Sequence, residues 1–233
     1  MNNNKALVIL SGGQDSVTCL AWAKANFDEV EAITFNYGQR HDVELMCARA
    51  VCKDTGTPHK VVDMTFFGEL STSALTGVGD INAKHELNDS LPASFVPNRN
   101  TMFNTVAHAW AQTIRAQHVV TGVCQTDFSG YPDCREDFVV ACEKTLNVGA
   151  DTNIVFHTPL MHLNKAETFN LAAELGALEM VLEMSHTCYE GDRTVRHAWG
   201  YGCGVCPACE LRAKGFGEFV VELEAEHVAQ VTT

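Results

Sequence analysis

The sequence predicts an α/β fold built on a doubly wound, parallel, five-stranded sheet with a C-terminal metal-binding helical segment, and three observations carry that expectation. Short apolar runs rich in β-branched residues recur between helical stretches, at residues 6–9, 30–35, 59–63, 118–123 and 154–160. The first run passes into Leu10-Ser11-Gly12-Gly13-Gln14-Asp15-Ser16 and a periodic segment over 17–24, which reads as strand, tight loop and helix. Polar stretches follow the second and fourth runs, on the edge where open α/β sheets bind ligands.

The loop after the first strand suits an anion. Gly12 and Gly13 carry no Cβ, so backbone N–H groups can close around a phosphate at the positive end of the next helix, and Ser11 and Ser16 add hydroxyl donors. Asp15 would repel a polyphosphate unless a cation lay between them, which assigns Asp15 to Mg²⁺. As a loop residue facing ligand, it is expected to carry little of the fold's stability. The kinase and GTPase pattern Gly-x-x-x-x-Gly-Lys-Ser/Thr is absent.

Composition narrows the function. The 233 residues, 46% hydrophobic and 19% charged, allow one large or two small domains with a real core. A net charge of -13 argues against broad nucleic-acid binding, which draws on cationic side chains, and favours a small partner. No apolar run approaches the ~20 residues that span a bilayer. Met1 to Lys5 lacks the features of a signal peptide, so a cytoplasmic protein is expected.

Along the chain, Asn36-Tyr37-Gly38-Gln39-Arg40-His41 follows the second strand, and a helix is expected over 42–55, capped by Asp42 and stopped by Gly56, with Cys47 and Cys52 in the core. Periodicity fails over 64–96, which reads as a long loop, a lid or an interface. Arg99, just ahead of a helix over 101–116 in which His108 and Trp110 are structural, can fork two donors onto phosphate oxygens. After the fourth strand, Cys124 to Arg135 packs aromatic, acidic, glycine and proline residues into one loop, which suits a flat ring. Asp127 can accept from the adjacent ring N–H and amine of a guanine-like base while Phe128 or Tyr131 covers its face. Lys165 opens a helix over 164–174 closed by Gly176, where it opposes the helix dipole, a cost that a bound polyphosphate offsets.

Cys188, Cys203, Cys206 and Cys209 have the inventory of a tetrahedral Cys₄ zinc site, structural because no position is left for water. Gly202 and Gly204 permit the turn around the metal, and Pro207 begins a helix. A redox relay is the alternative, but the strand that precedes thioredoxin-type Cys-x-x-Cys pairs is missing. Four thiolates leave His186 and His197 no vacancy.

These motifs, namely residues 11–16, 35–41, 96–100, 121–135 and 164–168 with the four cysteines, resemble the 7-cyano-7-deazaguanine synthases among the PP-loop ATP pyrophosphatases. The likeness spans most of the chain. It implies a Rossmann-like PP-loop ATP-binding domain over 1–180 with a zinc-binding region over 181–233 packed on it. It implies ATP with Mg²⁺, 7-carboxy-7-deazaguanine and ammonia as partners, one structural zinc and a homodimer, with neither nucleic acid nor membrane. Nucleotide contacts are expected along Leu10, Ser11, Gly12, Gly13, Gln14, Asp15, Ser16, Val17, Thr18, Cys19 and Leu20, base contacts at Asp127, Phe128, Ser129, Tyr131, Asp133 and Arg135, and catalytic roles for Asp15, Arg99 and Lys165. Asn98 and Asn36 stand where glycine and aspartate are expected, and the spacer from Cys188 to Cys203 is longer than usual. Two other classes stay open: a tRNA-modifying PP-loop thiolase, which would want a basic surface and a catalytic cysteine, and a zinc-knuckle interaction module with a degenerate nucleotide site.

Overall fold

The structure, a computed structural model, describes residues 4–70, 73, 75–76, 84–85, 88–126 and 131–231. The chain runs through β1 (Lys5–Ile9), α1 (Gln14–Asn26), β2 (Glu29–Asn36), α2 (Val43–Asp54), β3 (His59–Asp63), α3 (Thr65–Glu69), β4 (Lys84–His85), β5 (Asn88–Pro92) and α4 (Arg99–Thr113). It continues with β6 (His118–Val120), a 3-10 turn (Pro132–Cys134), α5 (Glu136–Ala150), β7 (Val155–His157), α6 (Lys165–Glu174), α7 (Leu178–Met184), β8 (Arg196–His197), β9 (Gly200–Tyr201) and α8 (Pro207–Val231). Among the described residues, no helix is long and apolar enough to cross a membrane.

All five expected strands join one parallel sheet in the order β3-β2-β1-β6-β7. The order reverses beside β1, so the segments leaving β1 and β6 part and open a crevice at their C-terminal ends. Alternation along the strands divides the core. Ala6 and Val8 face α1, α2, α6 and α8, while Leu7 and Ile9 face α4 and α5. Phe219 of α8 packs in the same cluster as Val8 and Phe169.

The last two strands are shorter than the periodicity suggests. Thr121 N–H still donates to His157 O at 3.0 Å, but Gly122 then lies against the start of α1, where a Cβ would sit 3.2 Å from Asp15 C and Ser16 N. Pro159 offers no N–H for another rung. Residues 64–96 are not structureless: they contain α3 and the antiparallel β4–β5 pair, elements too short to leave a periodic signal. Leu75 O accepts from Arg40 N at 2.9 Å, which ties this segment to the loop after β2. Helix α4 starts two residues early, because Asn98 takes a left-handed conformation at φ 60° and sets the turn that glycine would otherwise make.

Helix α8 crosses α6 at Gly215, where a Cβ would stand 2.2 Å from Lys165 Cβ, whereas Gly217 one half-turn on has nothing within 4 Å. The two glycines should therefore respond with opposite sign. Gly215→Ala is expected to lose about 1–3 kcal/mol by forcing the helices apart, and Gly217→Ala to gain up to about 1 kcal/mol of helix propensity. Urea titration of both variants checks this, and equal effects would mean that α8 does not pack on α6 in this way.

Candidate active site

The segment between β1 and α1 is held by its own serines. Gly12 N–H donates to Ser16 Oγ at 3.1 Å, Gly13 N–H to Ser11 Oγ at 3.2 Å, and Ser16 Oγ donates to Gly13 O at 2.9 Å. The glycine N–H groups expected to cradle phosphate are thus paired with hydroxyls, so an anion has to replace those bonds. Gly12 is at φ 97°, and a Cβ there would lie 2.1 Å from Glu44 O, so the α2 backbone rests directly on the loop. On the other side His186 N–H donates to Gly12 O at 2.9 Å.

Lys165 and Asp15 meet across this loop. Lys165 Nζ lies 2.9 and 2.7 Å from the two Asp15 carboxylate oxygens, with side-chain exposures of 8% and 29%. The sequence placed one on phosphate and the other on Mg²⁺; the structure pairs them with each other. An Asn164–Glu167 capping box, with both bonds formed, fixes the start of α6 and hence the root of Lys165.

Arg99, first residue of α4, extends between Tyr37 and Tyr131, its guanidinium carbon 5.9 and 5.7 Å from the two ring centres. Burial works against its charge, but Tyr37, Tyr131 and Asp133 outweigh that and raise its pKa above the ordinary arginine value. Tyr131 is set in turn by Ser94, 2.6 Å from its hydroxyl, and by Phe95.

One cleft of about 320 Å³ collects these groups, within the size range of small-molecule sites. Leu10, Ser11, Gly13, Gln14, Asp15, Ser16, Arg99, Tyr131 and Lys165 all line it. Val17, Thr18, Cys19 and Leu20 turn into the core instead. Asp133 sits behind the wall: it is buried, its Oδ2 accepts from Asn100 N–H at 3.1 Å and its carbonyl from Asn100 Nδ2. That clamps the α4 start beneath Arg99, and burial, opposed by Asn100 and Arg99, pushes the carboxyl up. Arg135 is exposed at the N-cap of α5 and does not line the cleft. Asp127, Phe128 and Ser129 lie outside the described residues. Glu44, His186, Thr187 and Tyr189 line the cleft without having been anticipated. They come from segments remote in sequence, and only the positions of Thr187 and Tyr189, on either side of a zinc-type cysteine, could have pointed to any of them.

The Sγ atoms of Cys188, Cys203, Cys206 and Cys209 lie within 4.8 Å of one another. Cys203–Cys209 and Cys188–Cys206 are 3.9 and 4.0 Å apart, close to the edge of about 3.8 Å of a tetrahedron with Zn–S bonds near 2.3 Å. Backbone N–H groups of Cys203 and Cys206 point at Cys188 and Cys203 sulfurs. Gly202 is required, since a Cβ there would lie 2.6 Å from Cys209 Sγ, and Gly204 turns the chain at φ 81°. The donor set therefore fits a tetrahedral metal. His197 is engaged elsewhere, stacked on Trp199 and bonded to Gly202 O at 2.9 Å.

The family model for "Queuosine biosynthesis protein QueC" matches residues 5–220. A protein of Wolinella succinogenes called 7-cyano-7-deazaguanine synthase is 51% identical over 225 residues, 96% of this chain and 97% of its own. Proteins of the same name from Lysinibacillus sphaericus and Helicobacter pylori are 50% and 46% identical, each over 94% of this chain and 97% of their own.

The Lys165–Asp15 pair reverses the expectation that Asp15 is indifferent to stability. Asp15→Ala removes a carboxylate bonded through both oxygens to a buried ammonium and should lose about 1–3 kcal/mol, below the full cost of breaking a buried pair because the carboxylate is partly exposed. Adding Lys165→Met removes the buried ammonium as well and should recover part of the loss. Denaturant titration of the four-member cycle measures the coupling, and a coupling near zero would show that the pair does not hold in solution.

Proposed function

This chain belongs to the QueC family of queuosine biosynthesis proteins, and we propose that it converts 7-carboxy-7-deazaguanine and ammonia to 7-cyano-7-deazaguanine, using ATP and releasing AMP and pyrophosphate. The observation that supports this most is the meeting of the Ser-Gly-Gly-Gln-Asp-Ser loop, Lys165 and Arg99 in one cleft at the point where the strand order reverses.

A carboxylate does not react with ammonia, because oxide would have to leave. Its oxygen therefore attacks the α-phosphorus of ATP, pyrophosphate departs, and ammonia displaces AMP to give the amide. A second adenylylation on the amide oxygen and loss of AMP leave the nitrile. Both substrate oxygens depart with AMP, and all three hydrogens of ammonia leave as protons. In this reading Ser11, Ser16 and the glycine N–H groups take the phosphates, with Lys165 and Arg99 offsetting their charge. The Asp15 carboxylate, released from Lys165, is suited to hold magnesium, which when bound screens the polyphosphate. Tyr37 and Tyr131 offer ring faces to the base, and Asp127 is assigned its paired donors. Zinc is the metal assigned to the four thiolates, where it supplies folding free energy. A cytoplasmic homodimer is part of the same proposal.

Incubation of the pure protein with ATP, Mg²⁺, ammonia and 7-carboxy-7-deazaguanine should yield AMP, pyrophosphate and the nitrile by mass spectrometry; ADP and phosphate in stoichiometric yield would refute the reading. Metal analysis should find one zinc per chain, and Cys206→Ala should lose it together with several degrees of melting temperature. Retention of the full melting temperature after metal removal would contradict a folding role.

A further inference from the structure

Conversion of ammonia to a nitrile nitrogen releases three N–H protons, and none of the residues assigned above is given the role of accepting them. We propose that Glu44 is the proton acceptor, a catalytic carboxylate facing the phosphate loop; this rests on the function proposed above. Glu44 stands in the first turn of α2, lines the cleft, and has its Oε1 3.6 Å from the Cβ position of Gly13, while its own carbonyl abuts Gly12. It is thereby fixed against the loop to which the nucleotide phosphates are assigned.

Several other acceptors lining the cleft are less suited. Asp15 is bonded through both oxygens to Lys165. Burial raises the Tyr37 phenol and pushes the Cys134 thiol up to about 12, so these groups keep their protons near neutrality. The charged and titratable groups that act on Glu44 or feel it are Arg99 from α4, Tyr37 from the end of β2, Tyr189 beside the cysteine cluster, and Cys47 on its own helix. Desolvation raises the carboxyl to about 7 and Arg99 opposes it, which matches a base to work near neutral pH. Each cycle needs the acid form to discharge its proton to solvent, and Glu44 keeps part of its surface exposed, which permits that.

The sign of the pH effect follows. The acceptor is the ionised form, so nitrile production should fall with one-proton dependence as pH drops through about 7. Folding runs the other way: with its pKa raised from 4.5, Glu44 favours the fold while protonated, a contribution complete below the ordinary value and lost as pH rises through about 7. Glu44→Gln, which cannot ionise, should thus melt no lower than wild type at pH 8.

The test is single-turnover kinetics of wild type, Glu44→Gln and Glu44→Asp. Glu44→Gln should keep its pyrophosphate burst and form hydroxamate when hydroxylamine replaces ammonia, yet lose nitrile formation by about 100-fold or more together with the acidic limb. Glu44→Asp should recover part of the rate. Nitrile formation within threefold of wild type, an equal loss of burst and nitrile, or an acidic limb that survives in Glu44→Gln but vanishes in His41→Gln would each overturn the proposal. Absence of AMP from the wild-type reaction would instead refute the adenylate reading on which it rests.

Discussion

One buried guanidinium links the two chemistries of this chain. Arg212 of α8 is 1% exposed and donates to Trp199 O, Val181 O and Thr187 Oγ1 at 2.9 to 3.0 Å. Burial lowers its pKa to about 10, which still leaves it charged at neutral pH because the acceptors are in place. Thr187 in turn lies 3.5 Å from Gln14 N–H, and its neighbour His186 holds Gly12 O. The cysteine cluster, the 186–189 segment and the phosphate loop therefore form one hydrogen-bonded body. A metal held by Cys188 and Cys206 would support the cleft wall through Tyr189 and Thr187 without lining the cleft itself.

How much of this was legible depended on the range of the interaction. The five strands, the helices after them and the tight loop after β1 are written in local periodicity and in Gly12-Gly13, and all are present, with β6 and β7 shorter and α4 earlier than that periodicity suggests. The cysteines were legible because metal ligation demands a residue type and a spacing. The Lys165–Asp15 pair was not, since 150 residues separate the partners and nothing in either local pattern names the other. Arg212 had no signal at all: in sequence it is one more charge on a helix, and only the convergence of three acceptors explains its burial. Glycine roles divided likewise, with Gly204 readable as a turn but Gly215 explained only by the helix that crosses it.

The two departures from the family pattern have physical accounts. Asn98 occupies a left-handed position, which glycine takes freely and asparagine tolerates best among residues with a Cβ. Asn36 uses its side-chain oxygen to accept from Gly38 N–H at 3.3 Å, a bond aspartate makes equally well. Both exchanges preserve a turn and change only its charge or flexibility.

The Lys165–Asp15 contact has a consequence for which ligands the cleft admits. An internal salt of this kind carries no net charge, so a lone anion would gain the ammonium only by leaving a carboxylate facing like charge. A polyphosphate already complexed with a divalent cation can satisfy both halves at once, cation to Asp15 and oxygen to Lys165. On the proposed function, the pair would thus act as an ion-exchange latch that reads its ligand as a neutralised salt rather than as an anion. Its re-closure would compete with the departing magnesium pyrophosphate and favour product release.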